Sequence, residues 1–249
     1  MSRPASPVAA ILAQTAMELR LTARRGENVL VTVVLPAVVL IFFASAGVVP
    51  TSAGRPVDFL LPGSMALAVI ATSLVNLGIS TAYERHYGVL KRLGGSPLTR
   101  SGLLAAKIVS VLAIEFGQVA LLVAIATLVL GWVPAPGSNP LLLVAILVLG
   151  TFAFAGLGLL LAGALRAEAT LALANATFVA ALLLGGIILP LDHLPEPLVG
   201  VAGLLPGAAL SDGLRAALGS GADPLGPVAI LVTWGLTAVM AAARTFRWE

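Results

Sequence analysis

The chain has 249 residues; 59% are apolar and 10% are charged. Soluble domains carry about 25% charged residues, and one domain of this size cannot hide so much apolar surface from water, so disorder and a water-soluble globule are both excluded. There is no cysteine, and the two histidines, His86 and His193, stand far apart, which excludes disulfides, thiolate ligands and a histidine metal cluster.

Residues 8–25 are the first predicted element, an amphipathic helix. Val8, Leu12, Ala16, Leu19 and Ala23 recur at helical spacing, and Gln14, Glu18, Thr22 and Arg25 form the opposite stripe. With basic residues at its end, such a helix is expected to lie in the membrane interface. Arg20, Arg24 and Arg25 followed by an apolar run and Ala44-Ser45-Ala46 mimic a secretion signal. The stretch before that run is too long for one, so the run is read as a membrane span.

A bilayer core of roughly 30 Å needs about 20 apolar residues in a helix. Six segments meet that need: 28–49, 59–83, 103–132, 141–165, 169–191 and 225–243. The predicted fold class is therefore an all-α polytopic membrane protein forming one transmembrane domain. The turn between the third and fourth spans, 132–140, is rich in proline and glycine.

Between the second and third spans lies the richest polar stretch, residues 84–98. Glu84, Arg85, His86, Tyr87, Gly88, Val89, Leu90, Lys91, Arg92 and Leu93 are read as one short helix. Tyr87, Leu90 and Leu93 fall three apart and are expected on one face, with Lys91 and Arg92 elsewhere. Gly94-Gly95 is expected to end that helix through a left-handed cap. Ser96-Pro97 is expected to open the next one as N-cap and first turn.

Within the spans, Glu115 is a lone intramembrane carboxylate, and Gln118 shares its face. Such a group is a functional candidate by default. Glu115, Gln118, Asn76 and Asn175 are the candidates for a polar substrate path; the alternative for each is hydrogen bonding between helices. Ala172, Ala176 and Ala180 form a small-residue face, and Gly156, Gly158 and Gly163 suggest close helix contacts in the fourth span. Trp132 and Trp248 are placed at the two interfaces, and Trp234, falling mid-span, is read as a packing residue. Residues 192–224 hold two short apolar pieces, 198–205 and 208–218, broken by proline, and are expected to form a re-entrant hairpin on the outer side, the alternative being an amphipathic hairpin on the surface.

Sorting the basic residues by loop places twelve of fourteen on one side, with Arg55 and Arg215 on the other. The positive-inside rule then puts both termini in the cytoplasm. No phosphate-binding loop, zinc-protease motif or nucleophile elbow occurs, and no inverted repeat is evident. Any ATP used must be bound by another chain.

The run Glu84-Arg85-His86-Tyr87-Gly88-Val89-Leu90-Lys91-Arg92-Leu93, followed by Ser96-Pro97-Leu98 and by Lys107 early in the third span, resembles the membrane permease subunits of type-2 ABC exporters. His86 stands where that family often has an acidic residue, and Gly94-Gly95 replaces a more helical pair. Leu194-Pro195, Pro206 and Asp212-Gly213-Leu214-Arg215 also resemble the family's segment before the last span, and the likeness covers essentially the whole chain. The resemblance implies that Glu84–Leu93 is a coupling helix docking on an ATPase. It implies two ATPase subunits that carry the ATP and Mg, with no cofactor on this chain. A second permease, identical or similar, would complete the translocation path in the bacterial inner membrane, among lipid and with no nucleic acid. A path of low polarity suits a drug, lipid or glycolipid as cargo, with polysaccharide export as the alternative. The alternative from the residues themselves is a proton-coupled secondary transporter using Glu115.

Overall fold

The structure, a computed structural model, describes residues 6–24, 30–47, 54–95 and 98–245. Ten helices are named here in chain order: α1 (Pro7–Arg24), α2 (Leu35–Ala46, preceded by a π turn at Leu30–Val34), α3 (Pro56–His86), α4 (Val89–Leu93), α5 (Arg100–Leu128), α6 (Pro140–Ala164), α7 (Ala167–Leu184), α8 (Glu196–Gly203), α9 (Pro206–Ala217) and α10 (Leu225–Thr245). Five of them, α3, α5, α6, α7 and α10, are long and apolar enough to cross a bilayer, or six spans if the bent pair α8–α9 counts as one. The first expected span is seen as the π turn and α2; its expected ends, 28–29 and 48–49, lie outside the described residues. The chain is an all-α polytopic membrane protein.

The spans are not equivalent. Along α3 the most apolar stretch is 89% buried, whereas those of α7 and α10 are 17% and 22% buried. Small residues explain why α3 sits in the middle. Gly63, Ser64, Ala66, Ala68, Ser73 and Gly78 let other backbones approach from several sides. Gly158 of α6 lies against the carbonyls of Ser73 and Leu74, and Gly156 lies against Ala238 of α10, so the expected glycine contacts of the fourth span are present. By contrast, Ala172 and Ala176 of α7 are exposed together with Ala180, and this face is uncovered among the described residues. Val109, Phe116 and Leu121 of α5, Val179 and Leu183 of α7, and Leu236 and Met240 of α10 are likewise exposed. Large apolar side chains outside and small ones inside suit a fold solvated by lipid.

Contacts sort the charges onto two ends. The basic end carries Arg20, Arg24, Arg85, Lys91, Arg92, Arg100, Lys107, Arg166 and Arg244 among the described residues; the opposite end has Arg55 and Arg215, with Asp58, Asp192, Glu196, Asp212 and Asp223. Three arginines hold helix ends. Arg55 donates to the carbonyls of Leu130 and Gly131, at 2.6 and 2.9 Å, just past α5. Arg85 donates to Gly163, at 2.6 Å, and to Leu165, at the end of α6. Arg215 donates to Gly186 and to Asp212, and stacks 4.1 Å above the Phe59 ring. Each satisfies carbonyls that a helix end leaves without partners.

Several sequence-based expectations are corrected. The fifth span was expected to reach Leu191, but α7 stops at Leu184; Gly186 then reverses the chain in the left-handed region, at φ +61°. Helix α5 starts at Arg100 with Thr99 as N-cap, its hydroxyl accepting from the Gly102 N–H at 3.0 Å; Ser96 and Pro97 lie outside the described residues. Trp132 is buried, 6% exposed, in the core and not at a lipid interface; Trp248 lies outside the described residues. Trp234 packs against the core as expected, and it also donates its indole N–H to the Leu204 carbonyl at 3.0 Å, at the 76° bend between α8 and α9. Since Trp234 is nine residues into α10, this bend lies about 14 Å along that helix. The indole therefore supplies a hydrogen bond to a carbonyl at the break between two helices.

Candidate functional site

Three elements meet at Lys107 on the basic end. Its side chain is fully buried, and its ammonium lies 3.0 Å from Glu18 of α1 and 2.7 Å from Glu84 at the end of α3. Gln14 donates to Glu18 at 2.8 Å, one helical turn away. Thr15 is the buried residue of α1, and its hydroxyl reaches the Ala106 carbonyl beside Lys107 at 3.4 Å. One lysine thus ties the N-terminal helix, the central span and the next span together. A buried ammonium holds only when carboxylates and hydrogen bonds replace its water, and here two carboxylates do so.

This arrangement sets the orientation of α1. The stripe with Gln14, Glu18 and Thr22 turns toward the protein, while Val8, Leu12 and Ala16 are exposed. In lipid, that is the favourable way round for an interfacial helix. Glu18 was missed as a site residue because a carboxylate on an amphipathic helix normally faces water. The available signal was a lone lysine buried in an otherwise apolar span, which requires a partner.

The 84–93 segment is not one helix. Glu84, Arg85 and His86 end α3, the chain turns at Tyr87-Gly88, and α4 covers only Val89–Leu93. Gly88 adopts φ +71°, a left-handed conformation that costs other residues roughly 1–2 kcal/mol. Gly94 is right-handed, so the expected left-handed cap sits before α4 and not after it. Tyr87 and Leu90 consequently do not share a face. Leu90 is fully buried with Leu77, Leu98, Leu103 and Leu104, whereas Tyr87 is 69% exposed. Tyr87 stacks on Tyr83 with ring centroids 6.1 Å apart and meets His86 edge-on. Glu84 and Arg85 are engaged with Lys107 and the end of α6. His86, Tyr87, Val89, Lys91 and Arg92 form the outward surface.

The intramembrane candidates separate in the same way. Gln118 is buried; its amide meets the Thr72 hydroxyl in the π turn of α3 and donates to the Thr32 carbonyl at 3.0 Å in the π turn before α2. It therefore bridges two segments whose backbone hydrogen bonding is irregular. Glu115 is buried and accepts from Thr151 of α6, and its other oxygen has no partner among the described residues. Asn76 ends the π turn of α3 and is half-buried. Asn175 is exposed on α7, its amide donating to the Leu171 carbonyl of its own helix at 2.9 Å. Glu115, Gln118 and Asn76 lie on the packed helices, and Asn175 stands apart from them.

Comparison with known proteins agrees with this architecture. The family described as ABC-2 type transporter matches residues 9–218. That span takes in α1, the Lys107 cluster, the 84–93 segment and the bent pair α8–α9. No curated protein matches the chain. The chain belongs to the ABC-2 type transporter family and is the transmembrane subunit of an ABC exporter, not its ATPase.

Proposed function

We propose that the surface of His86, Tyr87, Val89, Lys91 and Arg92 seats a separate ATPase subunit, and that the Lys107 cluster passes the motion of that subunit into the membrane. The carrying observation is the triple tie of Lys107 to Glu18 and Glu84. Leu90 anchors α4 against α5, so a push on α4 is delivered to a packed core. The buried lysine then moves α1, α3 and α5 together. ATP closure of two ATPases would rock two such permeases between inward-open and outward-open states.

The exposed alanine face of α7 supports a second permease subunit, identical or similar, because small residues allow close helix contact. Among the described residues, nine basic residues at one end against two at the other support a cytoplasmic position for that end and for both termini, in a bacterial inner membrane. The sparse polar groups of the spans support a hydrophobic or amphipathic cargo such as a drug, lipid or glycolipid.

Two experiments test this reading. The pair Tyr87→Ala and Arg92→Glu changes only exposed side chains, so the permease should still fold and insert. Co-purification of the ATPase should fall at least about tenfold, as expected for a tyrosine and arginine pair at an interface. Undiminished ATPase recovery with full export would overturn the proposal. Glu115→Gln retains an acceptor for Thr151, so ATP-driven export should persist and be indifferent to collapse of the proton gradient. Loss of export in both arms would instead favour the proton-coupled alternative.

A further inference from the structure

A second charged site lies at the basic end, apart from the Lys107 cluster. A cavity of about 970 Å³ opens between the last turn of α3, the junction of α6 and α7, and the last turn of α10. Arg85, Arg166, Arg244 and Glu168 line it together with His86. Three guanidinium groups against one carboxylate leave it with a formal charge of +2 when His86 is neutral. Arg85 is pinned by the Gly163 and Leu165 carbonyls, so its charge is fixed in place and those carbonyls are already satisfied. Arg166 and Arg244 are exposed, and neither guanidinium has a hydrogen-bond or ion-pair partner among the described residues. The first turn of α7 starts here without a side-chain cap, and its N–H groups add to the positive potential.

Position narrows the ligand. The cavity sits at the ends of four apolar spans, which is the depth of the lipid headgroups. Its wall includes Ala82, Ala164 and Ala167, and Leu171, one turn further along α7, is exposed toward the bilayer. A phosphate with an acyl tail meets both features: the phosphate among the arginines, the tail along α7. Basic pockets between spans at a membrane face suit anionic headgroups.

We propose that this cavity binds the headgroup phosphate of an acidic phospholipid, with Arg166 and Arg244 as its direct cationic partners and Arg85 as a fixed background charge. The proposal rests on the cavity's place at a membrane face; it needs neither ATPase docking nor a particular side of the membrane.

The test is lipid retention by the purified full-length chain in detergent, titrated with phosphatidylglycerol or phosphatidylcholine and read by native mass spectrometry. Phosphatidylglycerol should be retained and phosphatidylcholine should not. The pair Arg166→Gln and Arg244→Gln should weaken phosphatidylglycerol retention roughly 25-fold, the loss of two single-charge attractions. Glu168→Gln removes the one opposing charge and should tighten it. The control pair Arg92→Gln and Arg100→Gln, outside the cavity at the same end, should leave it unchanged. Equal losses in the cavity and control pairs, or equal retention of phosphatidylcholine, would overturn the site. Displacement by inorganic phosphate at matched concentration would reassign it to a soluble phosphate and overturn the lipid. Should the double arginine variant not fold, Glu168→Gln decides alone, and weaker or unchanged retention there counts against the proposal.

Discussion

Lys107→Ala is expected to destabilise the protein by about 3–5 kcal/mol, the cost of leaving one side of a buried ion pair without its partner. Two carboxylates, Glu18 and Glu84, would then face each other where the ammonium had been, each only about one-eighth exposed. At roughly 2–4 °C per kcal/mol for a chain of this size, thermal unfolding of the detergent-solubilised chain should begin about 6–20 °C lower. Lys107→Met should be nearly as harmful, because restoring the volume leaves the carboxylates unpaired. Adding Glu18→Gln and Glu84→Gln to Lys107→Met should recover most of the loss, since a neutral, well-packed replacement of a whole buried cluster is often tolerated. Unfolding of Lys107→Ala at the parental temperature would show that the cluster does not hold α1 to the spans.

Gly63→Ala is expected to cost about 1–3 kcal/mol or more, the range for forcing extra atoms into packed structure. A Cβ on Gly63 would stand 2.2 Å from the Ile187 carbonyl oxygen, and that neighbour is backbone and cannot rotate away. Either α3 must shift or the segment after α7 must move outward. Gly117→Ala is the matched control. It lies within α5 with nothing within 4 Å of its added Cβ, so it should stabilise the helix by up to about 1 kcal/mol. Opposite shifts in unfolding temperature for the two variants are the expected result; two shifts of the same sign would show that the close approach at Ile187 is not what constrains α3.

Much of the fold was legible because lipid imposes a simple rule on sequence. Long uncharged runs had to become helices, and with so few charges the segregation of basic residues to one end was evident. The five helices α3, α5, α6, α7 and α10 start within three residues of their expected first positions. Apolar length, however, does not say which neighbour a helix will have. All six predicted spans looked alike, yet α3 is central and α7 peripheral. Small residues on α3 pack inside, while the equally small Ala172, Ala176 and Ala180 face outward.

The candidate site divides along the same line. Its location between the second and third spans was readable from the Glu84–Leu93 run and Lys107. Its internal geometry was not. Spacing placed Tyr87 and Leu90 on one helical face, but a helix must be continuous for spacing to count, and left-handed Gly88 interrupts it. Leu90 then turns into the core and Tyr87 outward. Glu18 lies 89 positions before Lys107, so nothing local in the sequence could pair them. Hydropathy and charge placement by themselves determined the membrane class and the segregation of basic residues, because transfer from water to lipid acts on each residue separately. Only the tertiary structure decided that Lys107 would join three helices and that three arginines would surround one cavity. Those features depend on distances between segments remote in sequence, and packing of the whole chain sets those distances.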